Sequence, residues 1–206
     1  MGGLVADWKS YSDPMNSISR PSQMGPLWME ASQISGMPVC DEIWSRSPPS
    51  SSYPACIAVK TAGMQSKQAE ERYLRAVREA VMIHGKDISQ DEVLFDIARE
   101  LARKNHILFN EAEFRSQYNQ EESRKLFRED LMKMRFHKIG RFPTLTMMKA
   151  GRPGIMITGY RPYNVLLEAI KQMIPDIRPS QQHTNEEIYA DYWESLTPRE
   201  LEEGLS

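Results

Sequence analysis

A proline that opens a short apolar run constrains this chain more than any other feature: Ile139-Gly140-Arg141-Phe142-Pro143-Thr144-Leu145-Thr146-Met147-Met148. The run turns at Gly151-Arg152-Pro153-Gly154, returns as Ile155-Met156-Ile157-Thr158, and breaks at Gly159 ahead of Tyr160-Arg161-Pro162. A proline at the first position of a strand forfeits no ladder hydrogen bond, and Pro162 suits the first turn of a helix. The segment therefore predicts a β-hairpin feeding a helix. An X-Pro bond adopts the cis form at a cost of only about 0.5–1 kcal/mol, which makes Phe142-Pro143 the candidate cis bond.

This segment resembles the cis-proline loop of the thioredoxin superfamily. Phe142-Pro143-Thr144-Leu145 together with Gly159-Tyr160-Arg161-Pro162 is most similar to the DsbA-type branch of thiol oxidoreductases. The resemblance implies an α/β, thioredoxin-like fold, incomplete at its N-terminus, with an inserted all-helical domain and a small helical C-terminal tail. It also implies a substrate-binding role for Phe142, Pro143 and Thr144, because backbone just before the cis-proline pairs with an extended peptide in that superfamily, a form of strand addition. The partner expected there is an extended peptide or a thiol substrate.

The family's chemistry needs Cys-x-x-Cys at a helix N-terminus, where one thiol is made acidic enough to attack disulfides. This chain has only Cys40 and Cys56, sixteen positions apart, so no residue is assigned a catalytic role. Its opening, Met1-Gly2-Gly3-Leu4-Val5, looks like the tail of a second strand. The catalytic strand and helix are accordingly expected upstream of residue 1, or lost.

Residues 1–52 are broken by Asp13-Pro14, Arg20-Pro21, Gly25-Pro26 and Ser47-Pro48-Pro49, and read as a loop-rich remnant of the N-terminal thioredoxin half around one short helix near 27–34. Residues 53–137 read as the inserted helical domain. Ala55, Ala58, Val59 and Ala62 space one helix, and Tyr73, Leu74, Val77 and Val81 a second. Ser89 with Glu92 forms a capping-box pattern, flanked by Ile88 and Val93 as a staple, for a helix near 90–104 with Leu94, Ile97, Ala98 and Leu101 inward. Asn110 with Glu113 caps a short helix, and a longer one near 120–137 is expected to bury Leu126, Phe127, Leu131 and Met134. Residues 138–176 close the thioredoxin unit, and the tail of 177–206 carries two capped segments, Thr184 with Glu187 and Thr197-Pro198 with Glu200.

Other candidate sites have simpler accounts. Cys56, near a predicted helix N-terminus, is the candidate reactive thiol, although among Ala55, Ile57 and Ala58 it reads as a small buried hydrophobe. The basic run from Arg124 to Arg141 is interleaved with Glu121, Glu122, Glu129 and Asp130, as on an ion-paired helix face. Met24, Leu27, Trp28, Met29, Met37 and Trp44 read either as an adaptable apolar ligand surface or as loop packing on the helical domain. His84, His106, His137 and His183 stand singly, so no metal or other cofactor is expected.

A net charge of −2 gives no reason to expect nucleic acid, and no apolar run reaches membrane-spanning length. The expected compartment is the cytoplasm. Two function classes follow: a relative of thiol–disulfide oxidoreductases and isomerases that is redox-inactive as this chain, or a non-catalytic peptide- or partner-binding remnant. A glutathione-dependent isomerase or transferase resembles the first class in its inserted helices.

Overall fold

The alanine-rich stripe of residues 55–62 builds α3 (Tyr53–Gln65), whose Ala58, Val59 and Ala62 are fully buried. In the computed structural model, which describes residues 3–151, 153–178, 192–193 and 195–204, the chain divides into two compact units. One comprises residues 1–131 with 186–206, the other residues 132–185.

The first unit is helical. It contains α1 (Met24–Ser35), α2 (Ile43–Arg46), α3, α4 (Lys67–Met82), α5 (Asp91–Lys104), α6 (Glu111–Tyr118) and the start of α7 (Glu121–Phe136). Extended backbone at Ser66 separates α3 from α4, and the Ser66 hydroxyl caps α4 by accepting the Ala69 N–H at 2.9 Å. The small side chains of α3 let α4, α5 and α6 close around Tyr73, which is wholly buried. Its ring stacks on Phe109 with centroids 5.7 Å apart and lies 5.0 Å from Phe114, while its hydroxyl donates to the Leu94 carbonyl at 2.8 Å. A buried tyrosine needs such a partner, and here it ties α4 to α5.

The capping box expected at Ser89 does not form. Asp87 accepts both the Ser89 N–H (2.9 Å) and the Ser89 hydroxyl (2.5 Å), a local turn that competes with capping, so α5 starts one residue later with Gln90 as its N-cap. Ile88 and Val93 still pack against the core. The Asn110 cap does form, with its side chain accepting the Glu113 N–H at 3.1 Å. Of the four residues expected inward on α7 only Phe127 is buried, its ring meeting Tyr53 edge-on, whereas Leu126, Leu131 and Met134 are half-buried. The basic run is ion-paired: Arg128 meets Glu121, and Lys125 lies 3.6 Å from Glu122.

The Trp-rich N-terminal loops pack rather than gape. Trp28 and Trp8 meet Trp44 edge-to-face at 5.0 and 6.0 Å, and together with Ile43 they bury Val81 of α4. At the other end of the sequence, α9 (Pro198–Gly204) begins in a reciprocal cap: the Thr197 N–H donates to Glu200 at 2.8 Å and the Glu200 N–H to the Thr197 hydroxyl at 3.3 Å. The Thr184–Glu187 segment lies outside the described residues.

The second unit holds β1 (Thr144–Met147), β2 (Ile155–Thr158) and α8 (Tyr163–Met173). The strands are antiparallel, with Thr144 opposite Thr158 and Met147 opposite Ile155. Pro162 serves as the N-cap of α8, one position earlier than a first-turn proline. Only Ala169 and Met173 are buried among this unit's described residues, while Leu145 stays 41% exposed and Met156 50%.

Candidate functional site: the cis-proline hairpin

The Phe142-Pro143 peptide bond is cis, as the sequence predicts. Directly across the hairpin, Gly159 (φ +79°) directs its N–H to the Pro143 carbonyl at 2.8 Å, so the ladder extends one pair beyond β1. A glycine takes that left-handed conformation without the Cβ penalty. The Thr144 hydroxyl donates to the Arg141 carbonyl at 2.6 Å and closes the loop ahead of the strand.

That pairing sets the phase of the whole hairpin. In an antiparallel ladder, hydrogen-bonded and non-hydrogen-bonded pairs alternate. With Pro143 and Gly159 bonded, Leu145–Ile157 and Met147–Ile155 are the bonded pairs, and Thr144 and Thr146 point their N–H and C=O groups to the outer edge of β1. Among the described residues, no backbone group pairs with that edge. Phe142, 42% exposed, stands at its entrance. Phe142, Pro143 and Thr144 thus lie together at one end of an open strand edge. A separate opening of about 440 Å³ lies between β2 and α8, with Met156, Arg161, Val165 and Glu168 among its walls.

Both cysteines are free and neither adjoins the other in a dithiol motif. Cys56, in the first turns of α3, is 5% exposed. Burial pushes its thiol pKa up, against a smaller opposing effect of a hydrogen bond from the Gly3 backbone. An apolar, enclosed thiol of this kind is a poor nucleophile. Cys40 is half-exposed, packs against Gly85, and its N–H donates to the Met82 carbonyl at 2.6 Å. Among the described residues no group of three or more His, Cys, Asp or Glu side chains is placed to hold a metal ion. No described helix is long and apolar enough to cross a membrane.

The sequence did not reveal Arg75. On α4, its guanidinium forks onto Glu200 at 2.8 and 3.0 Å beside an apolar cavity of about 500 Å³ that includes Leu74, Met82 and Trp193 in its walls. Of the two capped segments read in the tail, the Thr197–Glu200 cap is the one that falls on described residues, and it places Glu200 at the start of α9.

A family model described as thioredoxin matches residues 6–168. Among curated proteins, the chain is 22% identical over 184 residues to the ClpXP adapter protein SpxH of Halalkalibacterium halodurans, covering 88% of this chain and 58% of that protein. The proteins of the same name from Bacillus licheniformis and Bacillus subtilis are 24% and 22% identical over 87% and 91% of this chain. The chain spans about three fifths of the length of these relatives, 58% and 62% for the latter two. Among solved structures, a candidate protein disulfide isomerase from Nitrosomonas europaea superposes with a TM-score of 0.64 at 18% identity, over 86% of this chain and 80% of that one. The cytosolic disulfide reductase DsbM from Pseudomonas aeruginosa gives 0.50 at 20% identity, over 64% of each chain. These likenesses establish the fold as thioredoxin-like with a large helical part.

Proposed function

The chain belongs to the thioredoxin family, and from that premise we propose that it is a protein-binding adapter, receiving an extended segment of a protein partner along the outer edge of β1 rather than exchanging disulfides through its own thiols. The observation that carries this is the outer edge of β1, where the Thr144 and Thr146 amides and carbonyls face outward with no backbone partner among the described residues. Unpaired strand edges recruit strands, main-chain bonds supplying affinity and alternate side chains specificity. Curated relatives bear the name of an adapter, a role met by binding. The state of the two cysteines, one buried and neither in a dithiol motif, supports the non-redox half of the proposal.

The test selects displayed random peptides of about twelve residues on the purified chain, a length that spans the strand with flanks. Binding of the selected peptides should fall about tenfold, roughly 1.4 kcal/mol, in Thr146→Pro, which removes an outward donor, and in Phe142→Ala. Insulin reduction should stay at the uncatalysed rate. Peptides that bind wild type and Thr146→Pro alike, or a reduction rate abolished by Cys56→Ala, would overturn the proposal.

A second reading has the β1 edge filled in cis by a strand of a longer polypeptide, favoured by the greater length of the relatives. In it, a version of the chain extended in frame loses peptide binding and gains stability.

A further inference from the structure

Along one face of α4, Glu71, Arg75 and Glu79 recur at helical spacing beside Arg72, and Tyr192, Trp193, Ser195 and Glu200 lie against them. The Tyr192 hydroxyl donates to Glu71 at 2.7 Å, and the Arg72 guanidinium sits 4.5 Å from the Tyr192 ring centroid. The Arg75 guanidinium lies 4.9 Å from the Trp193 ring. From there Arg75 forks onto both Glu200 oxygens, donates to the Ser195 carbonyl at 2.7 Å, and pairs with Glu79 at 2.8 Å. Farther on, Arg199 donates to the Ser35 carbonyl at the end of α1.

These are contacts of peptide recognition. Two arginine planes hold an aromatic pair, and a bidentate fork reads one carboxylate in a fixed orientation. A seven-residue helix is too short to persist alone, so α9 owes its order to this surface. The fit is incomplete, because about 500 Å³ remains between Val39, Leu74, Met82 and Ile83 on one side and Trp193 and Thr197 on the other. A segment with a larger apolar side chain at that point would bury walls that the chain's own residues leave uncovered.

We infer that this face is a binding site for an aromatic–acidic segment of a protein partner, a Tyr-Trp-like pair followed about seven residues later by a glutamate, and that Tyr192, Trp193 and residues 195–200 occupy it in cis as a displaceable competitor. The inference is independent of the β1 edge, since it concerns the helical unit alone. It makes partner capture at α4 compete with docking of the chain's own tail, so weakening the tail contacts opens the site.

The experiment uses the full chain throughout. A fluorescein-labelled peptide of residues 190–206 is titrated against wild type and against full-length Trp193→Ala/Glu200→Gln, with anisotropy as readout. The peptide should bind the variant about tenfold more tightly than wild type, whose site is already occupied, and Arg75→Gln added to the variant should abolish binding. Equal binding to both chains, or none to either while circular dichroism shows both folded, overturns the inference. A measurement on unmodified wild type guards against a misfolded variant: amides of 199–204 should exchange faster than those of α4, reporting tail release without unfolding. Exchange of both only on global unfolding would contradict displaceability, as would a concentration-dependent dimer that exchanges tails between copies.

Discussion

Glu200→Gln removes one charge and keeps the side chain's shape, which makes it a clean perturbation of the tail's docking. The Arg75 fork is the main reason that the Glu200 carboxyl titrates at about 2 instead of 4.5, with the Thr197 N–H adding to it against partial burial. A lowering of that size is worth about 3 kcal/mol at most, and the pair lies where water reaches it, so about 1–2 kcal/mol is the realistic share. The docking energy of the tail caps it as well, because a weakened tail can leave while the helical core stays folded. Since the folded pKa is depressed, this stabilisation is present above about pH 4.5 and is lost as pH falls from there toward 2. Urea unfolding of wild type and Glu200→Gln between pH 7 and pH 3 measures it. The gap between the two should be largest at pH 7 and shrink below 4.5. A gap that is absent at pH 7, or unchanged down to pH 3, would refute the assignment of the Arg75–Glu200 pair as the docking contact.

Tyr73→Ala should destabilise the helical unit by about 3–5 kcal/mol, and Tyr73→Phe, which loses only the bond to Leu94, by about 0.5–1.5 kcal/mol, both read from denaturant midpoints. Iodoacetamide at neutral pH should alkylate Cys40 well before Cys56, as peptide mass mapping can follow; equal rates would mean that α3 opens far more readily than its burial implies. Leu145→Pro removes an inward ladder donor and should melt the hairpin's exchange protection, whereas Thr146→Pro, on the outward phase, should leave it intact.

The hairpin was legible because each of its signals is local. Pro143, the glycines of the turn, and Gly159 fix the backbone by their own stereochemistry, whatever packs around them. Helices α3 to α5 were legible for a related reason, since an apolar stripe at helical spacing has few alternatives to burial, and α6 was legible from its Asn110–Glu113 cap. Ser89 misled because its capping pattern depends on the absence of a rival acceptor, and Asp87 two residues earlier is one. α7 kept the expected helix but not the expected burial: Met134 and Leu131 need a neighbour to cover them, and periodicity says nothing about whether one arrives. Arg75 was invisible for the same reason at longer range, its partner Glu200 lying 125 residues away. Phe142, Pro143 and Thr144 come together in the structure, as adjacency guarantees; the outward phase of Thr144 and Thr146 required the register that only coordinates supply.

The central claim is strand addition at β1, and amide hydrogen exchange tests it residue by residue. With the selected peptide bound, Thr144 and Thr146, whose amides lack a backbone partner among the described residues, should gain protection, while Leu145 and Met147, already bonded within the hairpin, should change little. Protection that rises evenly across Thr144–Met147, or that appears only outside β1, would contradict the account.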